Sequence, residues 1–272
     1  MSVIRIQGTD IAFEECGQGS CSVVFAHGLL MDRRMFAAQI EALKPHYRVI
    51  AYDHPGQGAS PPSDRGYSID RLSELAAEFM HRLDAREAHF VGLSMGGFVG
   101  LRLAARCPGL LRSLSLLDTS AAGEAPLARL RYRAMQAAVG MFGPRVVLRQ
   151  LLPIIFGTSF LNDPARAGER ETWIAHLAQL PRRITGPVGG VLARADVSAE
   201  LPAIRCPSLI LVGEEDRATP VAKSQAMHVA IAGSRLQILP SCGHSCSIEA
   251  PEAVSTALLA FLREVDAQPA AA

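Results

Sequence analysis

Long apolar segments and an excess of one charge are both missing from this 272-residue chain. No apolar run approaches the roughly 20 residues that a membrane-spanning helix needs. The first residues, Met1–Arg5, lack the basic and apolar regions of a secretory signal. Lys and Arg total 27 against 26 Asp and Glu, so no net field attracts nucleic acid or an anionic membrane. These absences predict a soluble cytoplasmic protein that acts on a small molecule, with no nucleic-acid or membrane partner.

Cysteine is present without the pattern of a disulfide framework. Six cysteines are scattered irregularly along the chain, which is typical of reduced and mostly buried thiols. Cys242-x-His244-x-Cys246 resembles half of a zinc site, but no second ligand pair with suitable spacing accompanies it. We therefore expect no metal and no other cofactor.

Hydrophobic side chains make up 49% of the chain, enough for one large core. After two short strands separated by Gly8-Thr9-Asp10, strand-like apolar runs alternate with helical periodicities up to about residue 120. Such alternation predicts parallel strands joined by right-handed helical crossovers. Together with two strands expected after residue 200, the pattern predicts an α/β fold. Its mostly parallel eight-stranded sheet would carry helices on both faces.

The alternation stops between residues 121 and 200, where helical patterns follow one another without a convincing strand. We therefore expect residues 1–120 and 201–272 to form the core and residues 121–200 to form an inserted helical cap. Residues 267–272 are expected to be a frayed tail. The cap contains ten Arg and no Lys, against six acidic residues. Solvent-facing helices explain these arginines most simply, and a carboxylate-bearing substrate is the alternative explanation.

A Gly-x-Ser-x-Gly pentapeptide, Gly92-Leu93-Ser94-Met95-Gly96, joins a strand-like run to a helix-like one. A serine in so sharp a turn has a strained backbone, and glycines two residues away on each side leave room for it. The turn would expose Ser94 Oγ above the sheet. It would also place the N–H of Met95 at a helix start, where a developing anion is favoured. The pattern predicts a nucleophilic serine.

Two further polar residues, Asp216 and His244, also follow predicted strands. Because the carboxyl ends of parallel strands meet at one edge of a sheet, Ser94, Asp216 and His244 are expected to converge. With this order of nucleophile, acid and base, the whole chain resembles the α/β-hydrolase superfamily. The resemblance rests on the pentapeptide and on four further motifs: His27-Gly28, Asp53-x-Pro55-Gly56-x-Gly58-x-Ser60, Gly213-x-x-Asp216-x-x-x-Pro220 and Gly243-His244.

The resemblance implies a role for each of these residues. Ser94 would be the nucleophile, His244 the general base, and Asp216 the acid that orients the imidazole. The backbone N–H groups of Leu29 and Met95 would form the oxyanion hole.

Asp118 is an alternative to Asp216 as the acid, because it ends a neighbouring strand at the same edge. His27 is expected chiefly to order its own loop. The apolar side chains of the cap are expected mostly to form its own core, with one or two of them over an acyl pocket. The candidates for this substrate pocket are His27, Leu30, Met135, Phe142 and Trp173.

Serine at the elbow argues against dehalogenase and epoxide-hydrolase chemistry, because those reactions need a carboxylate nucleophile. The sequence looks most like the small microbial carboxylesterases and lactonases, including the 3-oxoadipate enol-lactonase group. Many of these relatives carry Arg where this chain has His54, so we expect a general esterase or lactonase acting on a small ester or lactone.

Several alternatives stay open. One is a C–C bond hydrolase of ring-fission products, against which Leu93 counts because such enzymes often have Asn at that position. Another is a non-catalytic ligand-binding member of the fold. A perhydrolase side reaction and a homodimer are also left open.

Overall fold

The structure is a computed structural model that describes residues 1–268. Its centre is one eight-stranded sheet with the strand order β1-β2-β4-β3-β5-β6-β7-β8. The strands are β1 Ser2–Ile6, β2 Thr9–Cys16, β3 Ser22–Ala26, β4 Arg48–Tyr52, β5 Ala88–Leu93, β6 Leu111–Leu117, β7 Ser208–Gly213 and β8 Arg235–Leu239. β1 pairs with β2, and β2 with β4, in antiparallel fashion, whereas all other pairs are parallel. The predicted mostly parallel α/β sheet is confirmed.

Eleven α-helices surround or extend this sheet within residues 1–268. They are α1 Ala37–Leu43, α2 Ile69–Arg82, α3 Met95–Arg106, α4 Pro126–Phe142, α5 Leu148–Ile155, α6 Thr158–Asn162, α7 Ala167–Ala178, α8 Thr185–Leu192, α9 Val221–Ala230, α10 Cys246–Glu249 and α11 Pro251–Ala267. None of them is both long enough and apolar enough to cross a membrane. Ala267, the first residue of the expected tail, belongs to α11, so the tail prediction is wrong at that residue; residues 269–272 lie outside the described range.

The helices cover both faces of the sheet because successive side chains of a strand point to opposite sides. In β5, Phe90 packs into a cluster with residues of α2, α3 and α9. Its neighbour Val91 packs into a second cluster with residues of α1 and α11. A strand buried on both faces accounts for the unbroken apolar run seen in its sequence.

Between β6 and β7 the chain forms only helices and turns, from α4 to α8. The last of these helices, α8, contains three glycines: Gly186, Gly189 and Gly190. Close packing explains the glycines. A Cβ added to Gly190 would lie 1.9 Å from the carbonyl oxygen of Tyr67. The packing of the helix therefore depends on the small size of Gly186 and Gly190, which local propensity alone does not reveal.

All six cysteines are free thiols. Cys242 and Cys246 are buried, while the other four are partly exposed, so the expectation that most would be buried is wrong.

Candidate active site

Ser94 lies in a strained turn between β5 and α3. Its backbone has φ 51° and ψ −108°, in a region that side chains disfavour. A Cβ on Gly92 would lie 2.4 Å from the carbonyl oxygen of Gly96, and one on Gly96 would lie 1.9 Å from that of Ala26. The two glycines therefore let the turn form against the neighbouring strand, as the pentapeptide predicts.

Ser94, His244 and Asp216 form a hydrogen-bonded chain at the carboxyl edge of the sheet. His244 Nε2 lies 2.9 Å from Ser94 Oγ, and His244 Nδ1 lies 2.9 and 3.0 Å from the two carboxylate oxygens of Asp216. Because a carboxylate only accepts, Nδ1 carries the proton and Nε2 accepts from the serine hydroxyl. This is the tautomer that a general base needs.

Asp216 is held in place by the turn that follows β7. Its Oδ1 accepts from the backbone N–H groups of Ala218 and Thr219, at 2.8 and 2.9 Å, and its Oδ2 accepts from the Thr219 hydroxyl at 2.7 Å. Burial alone would raise the pKa of Asp216, but His244 and these donors lower it below its ordinary value. Burial likewise disfavours the His244 imidazolium, but the charge and hydrogen bond of Asp216, together with the charges of Asp118 and Glu249, raise the pKa of His244 above its ordinary value.

Asp118, the alternative acid, makes no hydrogen bond to His244 among the described residues. Its Oδ1 accepts from the N–H of Gly213 at 2.8 Å, and its Oδ2 accepts from the N–H of Cys246 at 3.0 Å. Burial and then the charge of Asp216 raise the pKa of Asp118. Asp118 therefore links the end of β7 to the loop that carries His244, a positioning role that sequence reasoning did not foresee.

Glu249 also supports the His244 loop and was missed at the sequence level. One of its oxygens accepts from the N–H groups of Gly157 and Gly243, both at 2.9 Å, and the other accepts from Ser245 N–H at 3.0 Å. Gly157 belongs to the helical segment between β6 and β7. The carboxylate thus joins the loop of His244 to that segment, a contact across 92 residues that no local pattern could indicate.

The N–H groups proposed for the oxyanion hole lie in two well-anchored segments. Met95 is the first residue of α3, where backbone N–H groups have no intrahelical acceptor. After Leu29, the N–H of Leu30 donates to Gln57 Oε1 at 2.8 Å, and its carbonyl accepts from His176 Nε2 at 2.9 Å. Among the hydrogen bonds of residues 1–268, none uses the N–H of Leu29 or Met95.

His27 is fully buried and does not border the cavity beside Ser94, so its expected place in the pocket is wrong. Its Nε2 accepts from the N–H of His54 at 2.9 Å, so Nδ1 carries the proton and donates to Gly28 O at 2.7 Å. Burial lowers the pKa of His27 and keeps the ring neutral. The side chain ties two loops together, in line with the ordering role expected for it.

A cavity of about 150 Å³ opens beside Ser94 and His244. Of the other residues expected in the pocket, Leu30 and Met135 line this cavity. Phe142 is 66% exposed at the end of α4, and Trp173 borders a separate, more polar cavity, so both expectations are corrected. Helical spacing could not show which face of α4 or α7 turns toward the sheet.

The zinc alternative involved Cys242 and Cys246 on either side of His244. Both His244 ring nitrogens already make hydrogen bonds, to Asp216 and Ser94. Within residues 1–268, no group of three His, Cys, Asp or Glu side chains is arranged to hold a metal ion.

Comparison with known proteins adds to this geometry. The sequence model of the alpha/beta hydrolase family matches residues 23–257. The chain belongs to the α/β-hydrolase family. The resemblance drawn from the sequence motifs is therefore confirmed.

Similar proteins include several kinds of α/β hydrolase. Over 249 residues, this α/β hydrolase is 30% identical to a Pseudomonas syringae protein named "putative carbamate hydrolase RutD", covering 89% of this chain and 93% of that one. A thermophilic esterase from Thermogutta terrifontis superposes with a TM-score of 0.88 and 29% identity, covering 97% of each chain. The enol-lactonase from Burkholderia xenovorans LB400 superposes with a TM-score of 0.89 and 26% identity, covering 96% of this chain and 100% of that one.

Proposed function

We propose that this α/β hydrolase cleaves a carboxylic ester or lactone through an acyl-enzyme intermediate. The observation that carries the proposal is the hydrogen-bonded chain from Ser94 Oγ through His244 to Asp216. It supplies a nucleophile, a base in the required tautomer and a carboxylate that stabilises the imidazolium. The similarity to an esterase and an enol-lactonase supports the same reaction class.

In the first half of the reaction, Ser94 Oγ attacks the substrate carbonyl carbon while its proton passes to His244 Nε2. The carbonyl oxygen becomes an anion that the N–H groups of Leu29 and Met95 would stabilise. His244 then gives the proton to the leaving oxygen, and the acyl group stays on Ser94. In the second half, His244 takes a proton from water, and the resulting hydroxide attacks the acyl carbon. The bond from that carbon to Ser94 Oγ then breaks, His244 returns the proton to Ser94, and the acid is released.

The decisive test is the replacement Ser94→Ala, measured with p-nitrophenyl butyrate. We expect a loss of about 10⁴-fold or more in kcat, because the residual rate comes from the oxyanion hole and binding alone. A panel with a lactone and a p-nitrophenyl carbamate would define the carbonyl class, since the same steps apply to each.

The matched control is Ser115→Ala. Ser115 is buried in β6 of the same sheet, and its hydroxyl has no hydrogen-bond partner among the described residues. This variant should keep wild-type activity, and both variants should keep the wild-type circular dichroism spectrum. An active and folded Ser94→Ala protein would refute the nucleophile assignment.

A further inference from the structure

The cavity beside Ser94 has a predominantly aliphatic wall. Six of its lining side chains show its character: Val139, Val147, Leu151, Ile154, Val191 and Leu192. All of them belong to the helical segment between β6 and β7. An apolar cavity of about 150 Å³ in another protein stays dry and binds benzene, so this space suits about six carbon atoms.

One ion pair, Arg194 with Glu124, also lines this cavity. The Arg194 side chain is 3% exposed, and its Nη1 lies 3.1 Å from Glu124 Oε2. The guanidinium also donates to the carbonyl oxygens of Ala122 and Val191 and lies over the ring of Phe98, 4.3 Å from its centroid. Phe98 lies one helical turn after Ser94, and its N–H donates to Ser94 O at 2.9 Å.

The charge of this arginine is already balanced. Among residues 1–268, Arg194 is the only one of the ten arginines between residues 121 and 200 that lines the cavity. Glu124 cancels its charge at the cavity wall. A substrate carboxylate that entered this cavity would lose its hydrating water and find no cation free to pair with it. It would also lie close to the like-charged Glu124 carboxylate.

We propose that the cavity binds an uncharged aliphatic acyl group of about six carbons, and that Glu124 excludes acyl groups ending in a carboxylate by neutralising Arg194. The inference rests on the proposed function, since it assumes that the acyl group of an ester attached to Ser94 occupies the cavity. The inference argues against a carboxylate-bearing substrate, which was the alternative explanation for the ten arginines between residues 121 and 200.

Three p-nitrophenyl esters that share a six-carbon acyl backbone and differ at its far end separate charge from size: the hexanoate, the adipate monoester with a free carboxylate, and the methyl ester of that carboxylate. We expect kcat/KM for the free carboxylate to be at least ~100-fold below that for the hexanoate, because an unpaired charge would be buried. The methyl ester should lie close to the hexanoate. From acetate to hexanoate, kcat/KM should rise by about fourfold per methylene, as expected for burial in an apolar site.

The variant Glu124→Gln tests the role of the ion pair. It leaves Arg194 without its counter-ion, so the ratio of kcat/KM for the carboxylate ester to that for the hexanoate should rise by at least ~10-fold. The double variant Glu124→Gln with Arg194→Met removes both charges and should restore a ratio at or below the wild-type value. If either variant fails to fold, the three-ester comparison in the wild type still decides whether the cavity excludes acyl groups that end in a carboxylate, and Glu124→Met tests the ion pair in its place.

If the wild type hydrolyses the carboxylate ester as fast as the hexanoate or faster, and Ser94→Ala abolishes all three reactions, the inference about the cavity is overturned while the proposed function stands. An unchanged ratio in a folded Glu124→Gln protein would overturn the role given to Glu124. Hydrolysis that persists in Ser94→Ala, or inertness of all three esters, would overturn the proposed function and this inference with it.

Discussion

The protonation state of His244 follows from the two atoms that its ring contacts. The Asp216 carboxylate requires a proton on Nδ1, which leaves Nε2 free to accept from Ser94 Oγ. Asp216 also favours the charged imidazolium and raises the pKa of His244 against the effect of burial. Asp216 therefore sets the tautomer and contributes more than Asp118 and Glu249 to the pH at which the base becomes charged.

The pH dependence of kcat/KM tests this coupling. His244 must be neutral to accept the serine proton, so kcat/KM should fall as the pH decreases through the pKa of His244. That pKa lies above the ordinary value for histidine. In Asp216→Asn, the loss of the carboxylate should lower that pKa and move the acid limb to lower pH. The same variant should lose about 10⁴-fold in kcat, by analogy with the aspartate of serine proteases.

Asp118→Asn provides the comparison for this experiment. Both Asp118 oxygens accept from backbone N–H groups. In Asp118→Asn, the amide NH2 group would lie opposite one of these N–H donors, and the lost hydrogen bond would loosen the His244 loop. We expect a smaller loss in kcat than for Asp216→Asn. The reverse order of the two losses would assign the acid to Asp118, and an unshifted acid limb in Asp216→Asn would argue against its coupling to His244.

At the scale of elements, the turn between β5 and α3 is built on close backbone contacts. Gly96 lies where α3 starts against β3, and its N–H donates to His27 O at 3.2 Å. A Cβ at this position would collide with the Ala26 carbonyl, so no residue larger than glycine fits there. The approach of the helix to the strand therefore sets the position of Ser94.

Gly96→Ala should destabilise the protein by about 1–3 kcal/mol or more, because the added methyl group would collide with the Ala26 carbonyl, which is part of the backbone of β3 and cannot shift without disturbing the sheet. It should also reduce kcat by displacing Ser94. Urea unfolding and esterase assays measure the two effects. Gly168→Ala is the control, since Gly168 is exposed in α7 with nothing within 4 Å of an added Cβ. It should stabilise the protein by up to about 1 kcal/mol, and an equally stable Gly96→Ala would contradict the steric account.

The elements and their order were largely predictable because their signals are local. Ser68 caps α2 by accepting from the N–H of Arg71, as its position before an amphipathic run indicates. The contacts that support the site are of another kind. Glu249 reaches Gly157 and Glu124 reaches Arg194, and such partners depend on how separate elements pack. A single sequence shows which residues are charged, but not which residue each of them contacts.

At the scale of the whole molecule, the helical segment between β6 and β7 is joined to the sheet-bearing part by hydrogen bonds at several points. Glu215 accepts from Ser159, His176 contacts Leu30 O, and the Arg166 guanidinium donates to the carbonyl of Ile248. Ser245 donates to Ile155 O. Because these contacts include the loop of His244, the helical segment and the candidate site should unfold together, although the sequence pattern sets residues 121–200 apart as an inserted cap.

The single tryptophan makes this testable, because Trp173 lies in α7 and its fluorescence changes when the helical segment unfolds or leaves the sheet-bearing part. Ser94, Asp216 and His244 follow strands of the sheet, so hydrolysis of p-nitrophenyl acetate reports on that part. In a urea titration we expect the fluorescence transition and the loss of activity to share one midpoint, as a cooperative unit requires.

Arg166→Ala removes contacts between the two parts and should separate the midpoints or lower both. A wild-type fluorescence transition at clearly lower urea would show that residues 121–200 unfold as an independent domain, and that the contacts across the boundary are too weak to couple it to the sheet.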